Sequence, residues 1–401
     1  MSDKTDDLLR WRKEFPILES KTYLVSNSLG AMPRAVFHKM REFAEAWASK
    51  GVKAWADEWW EMPVKTGDML APLIGAKLGE VSMHTNISSI QALVLSCFEG
   101  HDPKRTKVIS ESLHFPSVLY VTERWVNNNH AELVLVESDE GVTIDLQRML
   151  DAIDVRTLLV SISHSLFKSA FLQDINAITE KAHRVGAAIV VDAYQSVGIV
   201  PLDVGALDVD FLTGGVLKWL CGGPGGAFLY AHPERTKHLV PNFTGWMAHP
   251  RPFRFEISSM EYHADARKFL NGTPAIPALY AAAEGPRIIQ EIGVERIRTK
   301  SVRQTSLLIQ LAQQHGFTVR SPLDSAQRGG TVTVDVPHGY AVTQALIAQD
   351  ILVDFREGAG IRIAPHFYNT DEEVERVIAA MREILESKSY AKYTSSASVV
   401  T

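Results

Sequence analysis

Through the middle of the chain, short apolar runs rich in β-branched residues alternate with longer stretches of helical periodicity. Six of these runs are predicted strands: Lys107–Ser110, Leu133–Val136, Thr157–Ser161, Ala188–Asp192, Phe211–Thr213 and Ala227–Tyr230. Such alternation is typical of βα units, in which the strands form a mainly parallel sheet with helices packed on it. The sequence therefore predicts an α/β fold.

One apolar run in this pattern, residues 187–192, is hydrophobic on both faces before it ends on Asp192. A strand of this kind is buried inside a parallel sheet. Its carboxyl end lies at the edge of the sheet where open α/β folds place their ligands. Asp192 is therefore a candidate site residue.

After about Pro274 the pattern changes to long helical stretches. The predicted elements are the helices Ala278–Ile292 and Val294–His315, a strand at Gly330–Val336 and a last helix from Thr370 to about Ser387. These elements predict a second, smaller α+β unit. The N-terminal helix near Arg34–Ser49 is expected to join this unit, and the tail, residues 389–401, is expected to be frayed.

Length and composition fit two units. A chain of 401 residues is long enough for roughly two or three domains. Its 46% hydrophobic and 22% charged residues are typical of a globular protein. We therefore expect an N-terminal segment, 1–50, that packs with the small domain, a large domain, 51–275, and a small C-terminal domain, 276–401.

Charge and cysteine content exclude several classes of partner. The formal net charge of −6 gives no electrostatic reason to expect a nucleic acid. Two cysteines, Cys97 and Cys221, are too few for a disulfide framework and indicate a reducing compartment. The charged N-terminus lacks the apolar core of a secretory signal, and no apolar run reaches the roughly 18 residues of a membrane span. We expect a cytoplasmic protein that contacts no membrane.

The most informative stretch runs from Val190 to Pro233. It holds Asp192 at a strand end, Gln195 three residues later, a second strand, and then Lys218 before a Gly-rich turn. Each of these features alone has an ordinary structural interpretation. Asp192 could cap a helix, Lys218 could be a solvated surface lysine, and the glycines could form a tight turn.

Together these residues meet the chemical needs of pyridoxal phosphate (PLP). The pyridine nitrogen of PLP must stay protonated for the ring to accept electrons, and a buried carboxylate such as Asp192 keeps it so. The aldehyde needs a lysine whose pKa is lowered by desolvation and a nearby cation, and Lys218 is the candidate for this Schiff base.

The chain resembles the class V aminotransferase group of fold-type I PLP enzymes, and within that group the kynureninases. The segments that carry the resemblance follow the family's order: Tyr23–Gly30, Phe115–Ser117, Val190–Pro233, Gly245–His249 and Phe269–Pro274. The resemblance implies the fold-type I PLP transferase fold, in which residues 51–275 bind the cofactor.

Carried over to this chain, the resemblance implies a set of cofactor contacts. Phe115 would stack on the pyridine ring, Asp192 would pair with its nitrogen, and Gln195 would lie beside its phenolic oxygen. Ser88 and Ser89 would sit at a helix start, where free N–H groups and the helix dipole favour a phosphate.

The same resemblance implies contacts from more distant segments. Trp246 would donate its indole N–H to the phosphate. Thr273 would reach the phosphate from the other chain of a homodimer with shared active sites. Arg362 would bind the carboxylate of an amino-acid substrate with two parallel hydrogen bonds, with Asn27 as a further substrate contact and Arg356 as a weaker candidate.

A metal site is not expected. The 14 histidines include no His-Glu-x-x-His or comparable spacing, and the two cysteines lie far apart. The sequence also has no GxSxG nucleophile elbow and no Walker-type phosphate loop.

Three departures from the kynureninases bear on the reaction. Leu217 stands where that family has a tyrosine that contacts the phosphate and helps to protonate the side-chain carbanion. Val118 replaces an aspartate, and Gln195 replaces a histidine. Gln195 and the string Pro365–Thr370 are instead similar to cysteine desulfurases and isopenicillin epimerase-like proteins, yet the loop 321–330 lacks the cysteine that desulfurases use there.

The first hypothesis for function is therefore a PLP-dependent, kynureninase-like hydrolase or lyase that cleaves at the β-carbon of an α-amino acid. The alternatives are a cysteine-type C–S lyase acting by β-elimination and a class V aminotransferase or epimerase. A fourth is a PLP-fold protein without catalysis that serves as a binding module, which the intact set of Asp192, Lys218 and Arg362 argues against.

Overall fold

A computed structural model describes residues 6–257 and 260–393. The strands in these ranges are β1 Thr22–Tyr23, β2 Val81–His84, β3 Lys107–Glu111, β4 Glu132–Val136, β5 Thr157–Ser163, β6 Ala188–Asp192, β7 Phe211–Gly215, β8 Ala227–Ala231, β9 Thr318–Val319, β10 Val332–Asp335, β11 Ile351–Leu352, β12 Asp354–Arg356 and β13 Gly360–Ile363. The α-helices are α1 Val36–Lys50, α2 Met62–Leu70, α3 Ile87–Ser96, α4 Pro116–Asn128, α5 Leu146–Ala152, α6 Ile175–Arg184, α7 Val204–Leu207, α8 Ile276–Ala282, α9 Glu284–Ile292, α10 Val294–Gln314, α11 Gly339–Ile347 and α12 Asp371–Ser387.

The larger sheet has seven strands in the order β2-β8-β7-β6-β5-β3-β4. Only β8 runs antiparallel to its neighbours. All six predicted strands are present, most of them one or two residues longer than predicted. The α/β prediction is confirmed. The registers of β5, β6 and β7 place Ser163 beside Asp192 and Asp192 beside Thr213, so these carboxyl ends meet at one edge.

The smaller sheet is antiparallel, in the order β12-β13-β10-β9. Apolar side chains of β10 and β13 pack with those of α10, α11 and α12 in a separate core. The last helix begins where predicted, because Thr370 and Glu373 form a reciprocal capping box at its first turn. The short strands β12 and β13 supply Asp354, Arg356 and Arg362.

Two expectations for the C-terminal part are wrong. The predicted helix Ala278–Ile292 is two helices, α8 and α9, joined at Ala283. Pro286 accounts for the break, because it has no N–H to donate to the carbonyl four residues earlier. The tail is ordered at its start, where Ser389–Tyr393 forms a 3-10 helix and the Tyr390 ring stacks on His338 at 4.5 Å; residues 394–401 lie outside the described part.

The N-terminal segment contacts both cores. Strand β1 pairs in parallel with β11, and α1 packs against α8. The expected division of the chain at residues 50 and 275 stays a prediction. Within residues 6–257 and 260–393, the structure has no helix that is both long and apolar enough to cross a membrane.

Candidate active site

A cavity of about 320 Å³ opens at the carboxyl edge of the larger sheet. Its walls come from the start of α3, the residue before α4, the ends of β5 and β6, the turn after β7 and the smaller sheet. The lining residues are Ser28, Asn86, Ile87, Phe115, Ser163, Ser165, Phe167, Asp192, Tyr194, Gln195, Leu217, Lys218, Arg356 and Arg362. Six of the eleven side chains singled out from the sequence therefore line one cavity: Phe115, Asp192, Gln195, Lys218, Arg356 and Arg362.

Asp192 is buried at the end of β6. One of its carboxylate oxygens, Oδ1, accepts a 2.8 Å hydrogen bond from the backbone N–H of Tyr194. Burial raises the pKa of Asp192 to about 6, against the opposing effects of that hydrogen bond and of Lys218. Because a buried carboxylate is costly to desolvate, its charged form needs a cationic partner, and Lys218 is the cation that favours it here.

Lys218 follows β7 and extends its amine into the same cavity. Its Nζ lies 4.8 Å from the ring centre of Tyr194 and 5.6 Å from that of Phe115. The amine donates no hydrogen bond within the described part of the chain. Burial, and next the charge of Arg362, lower the pKa of Lys218 to about 7, although Asp192 opposes them. Near neutral pH this lysine is therefore a nucleophile.

Phe115 and Gln195 flank these two groups. Phe115 precedes α4 and packs edge-on against Phe167, with ring centres 5.3 Å apart. Its exposed fraction of 39% is large for a phenylalanine and leaves a ring face open to a ligand. Gln195 is buried and donates from Nε2 to the backbone carbonyl of Asn27 at 3.1 Å.

The start of α3 reaches the cavity through Asn86 and Ile87, and neither Ser88 nor Ser89 lines it. Asn86 caps the helix, because its Oδ1 accepts from the N–H of Ser89 at 2.9 Å. The Ser89 hydroxyl donates to the Asn86 carbonyl at 2.8 Å. The first-turn N–H groups of Ile87 and Ser88 remain as donors for an anion.

Arg362 is 2% exposed, and most of its hydrogens are already engaged. Its Nε and Nη2 donate to the two oxygens of Asp354, and Nη2 also donates to Ser28 Oγ at 2.8 Å. Nη1 donates to the Phe167 carbonyl at 2.7 Å. With its amide oxygen turned toward this arginine, Asn27 accepts from Nε at 3.1 Å. One Nη1 hydrogen remains free for a ligand.

Arg356 is the more open of the two arginines. Its Nη2 lies 3.1 Å from Asp354 Oδ2, and its Nη1 donates to its own neighbour, the Phe355 carbonyl. Asp354 therefore faces two guanidinium groups. Burial alone would raise the pKa of Asp354, but Arg362, Arg356 and Ser28 outweigh it and hold the pKa below its ordinary value.

Trp246 and Thr273 do not line the cavity of their own chain. Trp246 is 39% exposed and packs edge-on against Trp60 and Phe253, and Thr273 is exposed.

The sequence reasoning missed several residues of the cavity. Asn86 could have been found, because an asparagine directly before an apolar helical run signals an N-cap. Phe167 and Tyr194 carry no comparable signal, since an aromatic residue near a strand end is more often part of the core. Asp354 was not among the candidate site residues.

The cavity fits PLP. Lys218 offers an amine without a hydrogen bond, Asp192 offers a buried carboxylate, and the Phe115 ring is available for stacking. The start of α3 offers N–H donors to a phosphate.

Other chemistries find less support. The Cys221 and Cys97 thiols are outside the cavity, and burial raises the pKa of each to about 12, so neither is a reactive thiolate. Among residues 6–257 and 260–393, no cluster of three or more histidine, cysteine or acidic side chains is placed to hold a metal ion.

Comparison with known proteins extends these observations. The aminotransferase class-V family matches the chain over residues 22–377. A kynureninase from Pseudomonas fluorescens is 31% identical over 97% of this chain and 95% of its own length. A kynureninase from Geobacillus thermodenitrificans is 29% identical over 99% and 96%.

Solved structures share the fold. A cysteine desulfurase from Thermococcus onnurineus superimposes with a TM-score of 0.83 at 23% identity, covering 94% of this chain and 98% of that one. A cystine C–S lyase in complex with cysteine persulfide gives 0.83 at 19% identity, covering 92% and 99%. The resemblance noted in the sequence is confirmed: the chain belongs to the aminotransferase class-V family of PLP-dependent enzymes.

Proposed function

We propose that this protein is a PLP-dependent, kynureninase-like enzyme that cleaves an α-amino acid at its β-carbon. The observation that carries the proposal is the placement of Asp192, Lys218 and the buried Arg362 in the lining of one cavity. Near full-length similarity to kynureninases supports cleavage at the β-carbon over the other reactions of the fold.

Bound PLP supplies an electron sink for bonds at the α-carbon of the amino acid. Lys218 holds the cofactor and then, once displaced by the substrate, takes the proton from the α-carbon. The lowered pKa of Lys218 favours this role, because an amine with a pKa near 7 is about half neutral at neutral pH and still basic enough to accept a proton. Asp192 is the partner for a protonated ring nitrogen.

Arg362 and Asn27 are the substrate-binding residues of this proposal. Asp354, Ser28 and the Phe167 carbonyl hold the guanidinium in place before the substrate binds. Because the side chain is already ordered, binding a substrate through its free Nη1 hydrogen costs little conformational entropy. The substrate carboxylate displaces Ser28 from Nη2 to gain a second hydrogen bond. Phe115 stacks on the cofactor, Gln195 borders its phenolic oxygen, and Ser88 and Ser89 belong to the helix start that takes its phosphate.

A direct assay tests the proposal. The purified holoenzyme is incubated with kynurenine and with 3-hydroxykynurenine, and the products are measured by mass spectrometry. We expect alanine together with anthranilate or 3-hydroxyanthranilate, and none of these from the Lys218→Ala variant. Intact kynurenines after prolonged incubation with PLP-loaded enzyme would contradict the proposal.

A second candidate function is β-elimination from a cysteine-type substrate. Leu217 favours it, because expulsion of a sulfur leaving group needs no acid at the β-carbon, and the fold is shared with a cystine C–S lyase. The inert thiols of Cys97 and Cys221 argue against a persulfide-forming desulfurase, but they do not bear on simple elimination. Release of pyruvate from cystine or a cysteine conjugate, with no product from kynurenine, would identify this activity. Transamination would instead convert the substrate to its keto acid, and epimerisation would give the D-amino acid.

We propose a homodimer with shared active sites. Trp246 and Thr273 are exposed in the single chain, and Phe253, Phe255 and Ile257 are exposed in the segment whose Phe253 packs against Trp246. A contiguous apolar surface of this kind marks a protein interface. In the dimer, Trp246 donates its indole N–H to the phosphate and Thr273 reaches the neighbour's cofactor. We also place the enzyme in the cytoplasm, in keeping with its free cysteines.

A further inference from the structure

Tyr194 occupies a position in the cavity that the cofactor contacts described above do not use. Its backbone N–H is tied to Asp192 Oδ1 at 2.8 Å, which fixes the start of its side chain. Its ring lies beside Lys218, with 4.8 Å from Nζ to the ring centre. Leu217 lines the same cavity. A phenol therefore stands next to Lys218 in a cavity that Leu217 also lines.

Gly215 makes room for this phenol. A Cβ added to Gly215 would lie 1.9 Å from Cζ and 2.0 Å from Oη of Tyr194, so the hydroxyl rests directly on the backbone three residues before Lys218. Within the described residues this hydroxyl makes no hydrogen bond. A tyrosine hydroxyl inside a protein normally has a partner, and one that lacks it inside a cavity is available to a ligand.

The proposed cleavage needs an acid. When the bond between the β- and γ-carbons breaks, the hydroxyl of one water ends on the γ-carbon and the β-carbon keeps the electron pair. That pair must take a proton to give the methyl group of alanine. Leu217 has no proton to give, and the arginines hold theirs too tightly. Lys218 serves the α-carbon, and the remaining hydroxyls, such as those of Ser163 and Ser165, are weaker acids than a phenol.

We propose, on the basis of the function proposed above, that Tyr194 is the catalytic acid that protonates the β-carbon of the substrate. The O–H bond of Tyr194 breaks and a C–H bond forms at the β-carbon. The phenolate takes back the proton released by the water that adds to the γ-carbon, so one water is consumed in all. Burial, and then the Asp192 carboxylate, raise the pKa of Tyr194 far above its ordinary value, so the oxygen keeps its proton until the carbon accepts it.

The test compares Tyr194→Phe with wild type on two substrates. With kynurenine, loss of a positioned acid should lower kcat by about 10²- to 10⁴-fold. With β-chloroalanine, the departing chloride takes the electron pair, so no proton is needed at the β-carbon of the bound molecule. Chloride release by Tyr194→Phe should therefore stay close to wild type, which also shows that the variant folds. Tyr120→Phe, at an exposed position on α4, is the matched control for a lost hydroxyl.

Two further measurements separate an acid from a structural residue. The dissociation constant of PLP, measured on the apoenzyme by fluorescence titration, should be the same for wild type and Tyr194→Phe. Adding Leu217→Tyr to Tyr194→Phe, which restores a phenol two residues from Gly215, should recover part of the kynurenine activity. If Tyr194→Phe loses activity equally with kynurenine and β-chloroalanine and also binds PLP more weakly, the inference is overturned, because Tyr194 then serves to hold the cofactor.

The outcomes also distinguish the two proposals. If wild type releases chloride from β-chloroalanine but leaves kynurenine intact, the proposed function fails and the inference fails with it. If wild type cleaves kynurenine and Tyr194→Phe cleaves it at the same rate, only the role of Tyr194 is overturned.

Discussion

Asp354 and Arg362 lie directly opposite each other on the antiparallel strands β12 and β13, and the Asp354 carboxylate holds the Nε and Nη2 edge of the guanidinium. The pair is 1% and 2% exposed. Removing one member of a buried ion pair leaves an uncompensated charge, which costs far more than the loss of a surface pair.

Asp354→Asn should therefore destabilise the apoenzyme by about 3–5 kcal/mol in urea unfolding, and it should raise KM because Arg362 loses its orientation. Asp335→Asn is the matched control, since Asp335 pairs with Arg320 at 3.6 Å on the surface, where the expected cost is below about 1 kcal/mol. Equal free energies of unfolding for the two variants would contradict this account of the pair.

Lys218 should react as an unusually acidic lysine. Trinitrobenzenesulfonate attacks only neutral amines, and the pKa of Lys218 is lowered to about 7. Its labelling in the apoenzyme, measured by peptide mass spectrometry, should reach half its maximum near pH 7, whereas an ordinary lysine does so near pH 10.4. A labelling curve for Lys218 that rises only above pH 9 would show that the amine is not desolvated.

Asp192→Asn should change the pH dependence of stability. Because burial raises the pKa of Asp192 to about 6, the folded state binds more protons than the unfolded state between about pH 4 and 6. The stability contributed by this group is full below that window and is lost as the pH rises through it.

Asparagine has no charge to bury and can still accept the Tyr194 N–H. The variant apoenzyme should thus be more stable than wild type at pH 8 by about 1–3 kcal/mol, and the difference should shrink at pH 5. Urea unfolding at the two pH values measures it. If the difference in free energy of unfolding between the variant and wild type is the same at both pH values, burial does not destabilise the charged form of Asp192. PLP affinity should fall in the same variant.

The exposed aromatic surface around Phe255 should be needed for dimer formation. Phe255 is 71% exposed, and its replacement by lysine should shift the mass in sedimentation equilibrium from twice the chain mass toward the chain mass. PLP retention should fall in parallel, because Thr273 would no longer reach the neighbouring site. Val155→Lys, at an exposed position before β5, is the control. A wild-type monomer with full PLP occupancy would contradict the shared site.

The sequence was sufficient for the part of the site that depends on parallel strands. Asp192 ends β6 and Lys218 follows the neighbouring strand β7, and the carboxyl ends of such strands meet at one edge whatever the details of packing. The break before Pro286 could also have been predicted from the missing N–H of proline.

The remaining geometry depends on long-range packing that no local pattern encodes. The engagement of Arg362 by Asp354 needs the register of β12 and β13, and short strands of this kind leave little periodicity to detect. The location of the Tyr194 hydroxyl needs the absence of a side chain at Gly215, more than twenty residues later. Trp246 and Thr273 are outside the cavity of the chain described, and their roles remain predictions.

The most direct test of the central claim is to locate the lysine that carries PLP. The holoenzyme is reduced with borohydride, digested and analysed by peptide mass spectrometry. We predict a single phosphopyridoxyl group on Lys218, and no visible absorbance of bound PLP in Lys218→Ala. Attachment to another lysine, or an unchanged spectrum in that variant, would contradict the account.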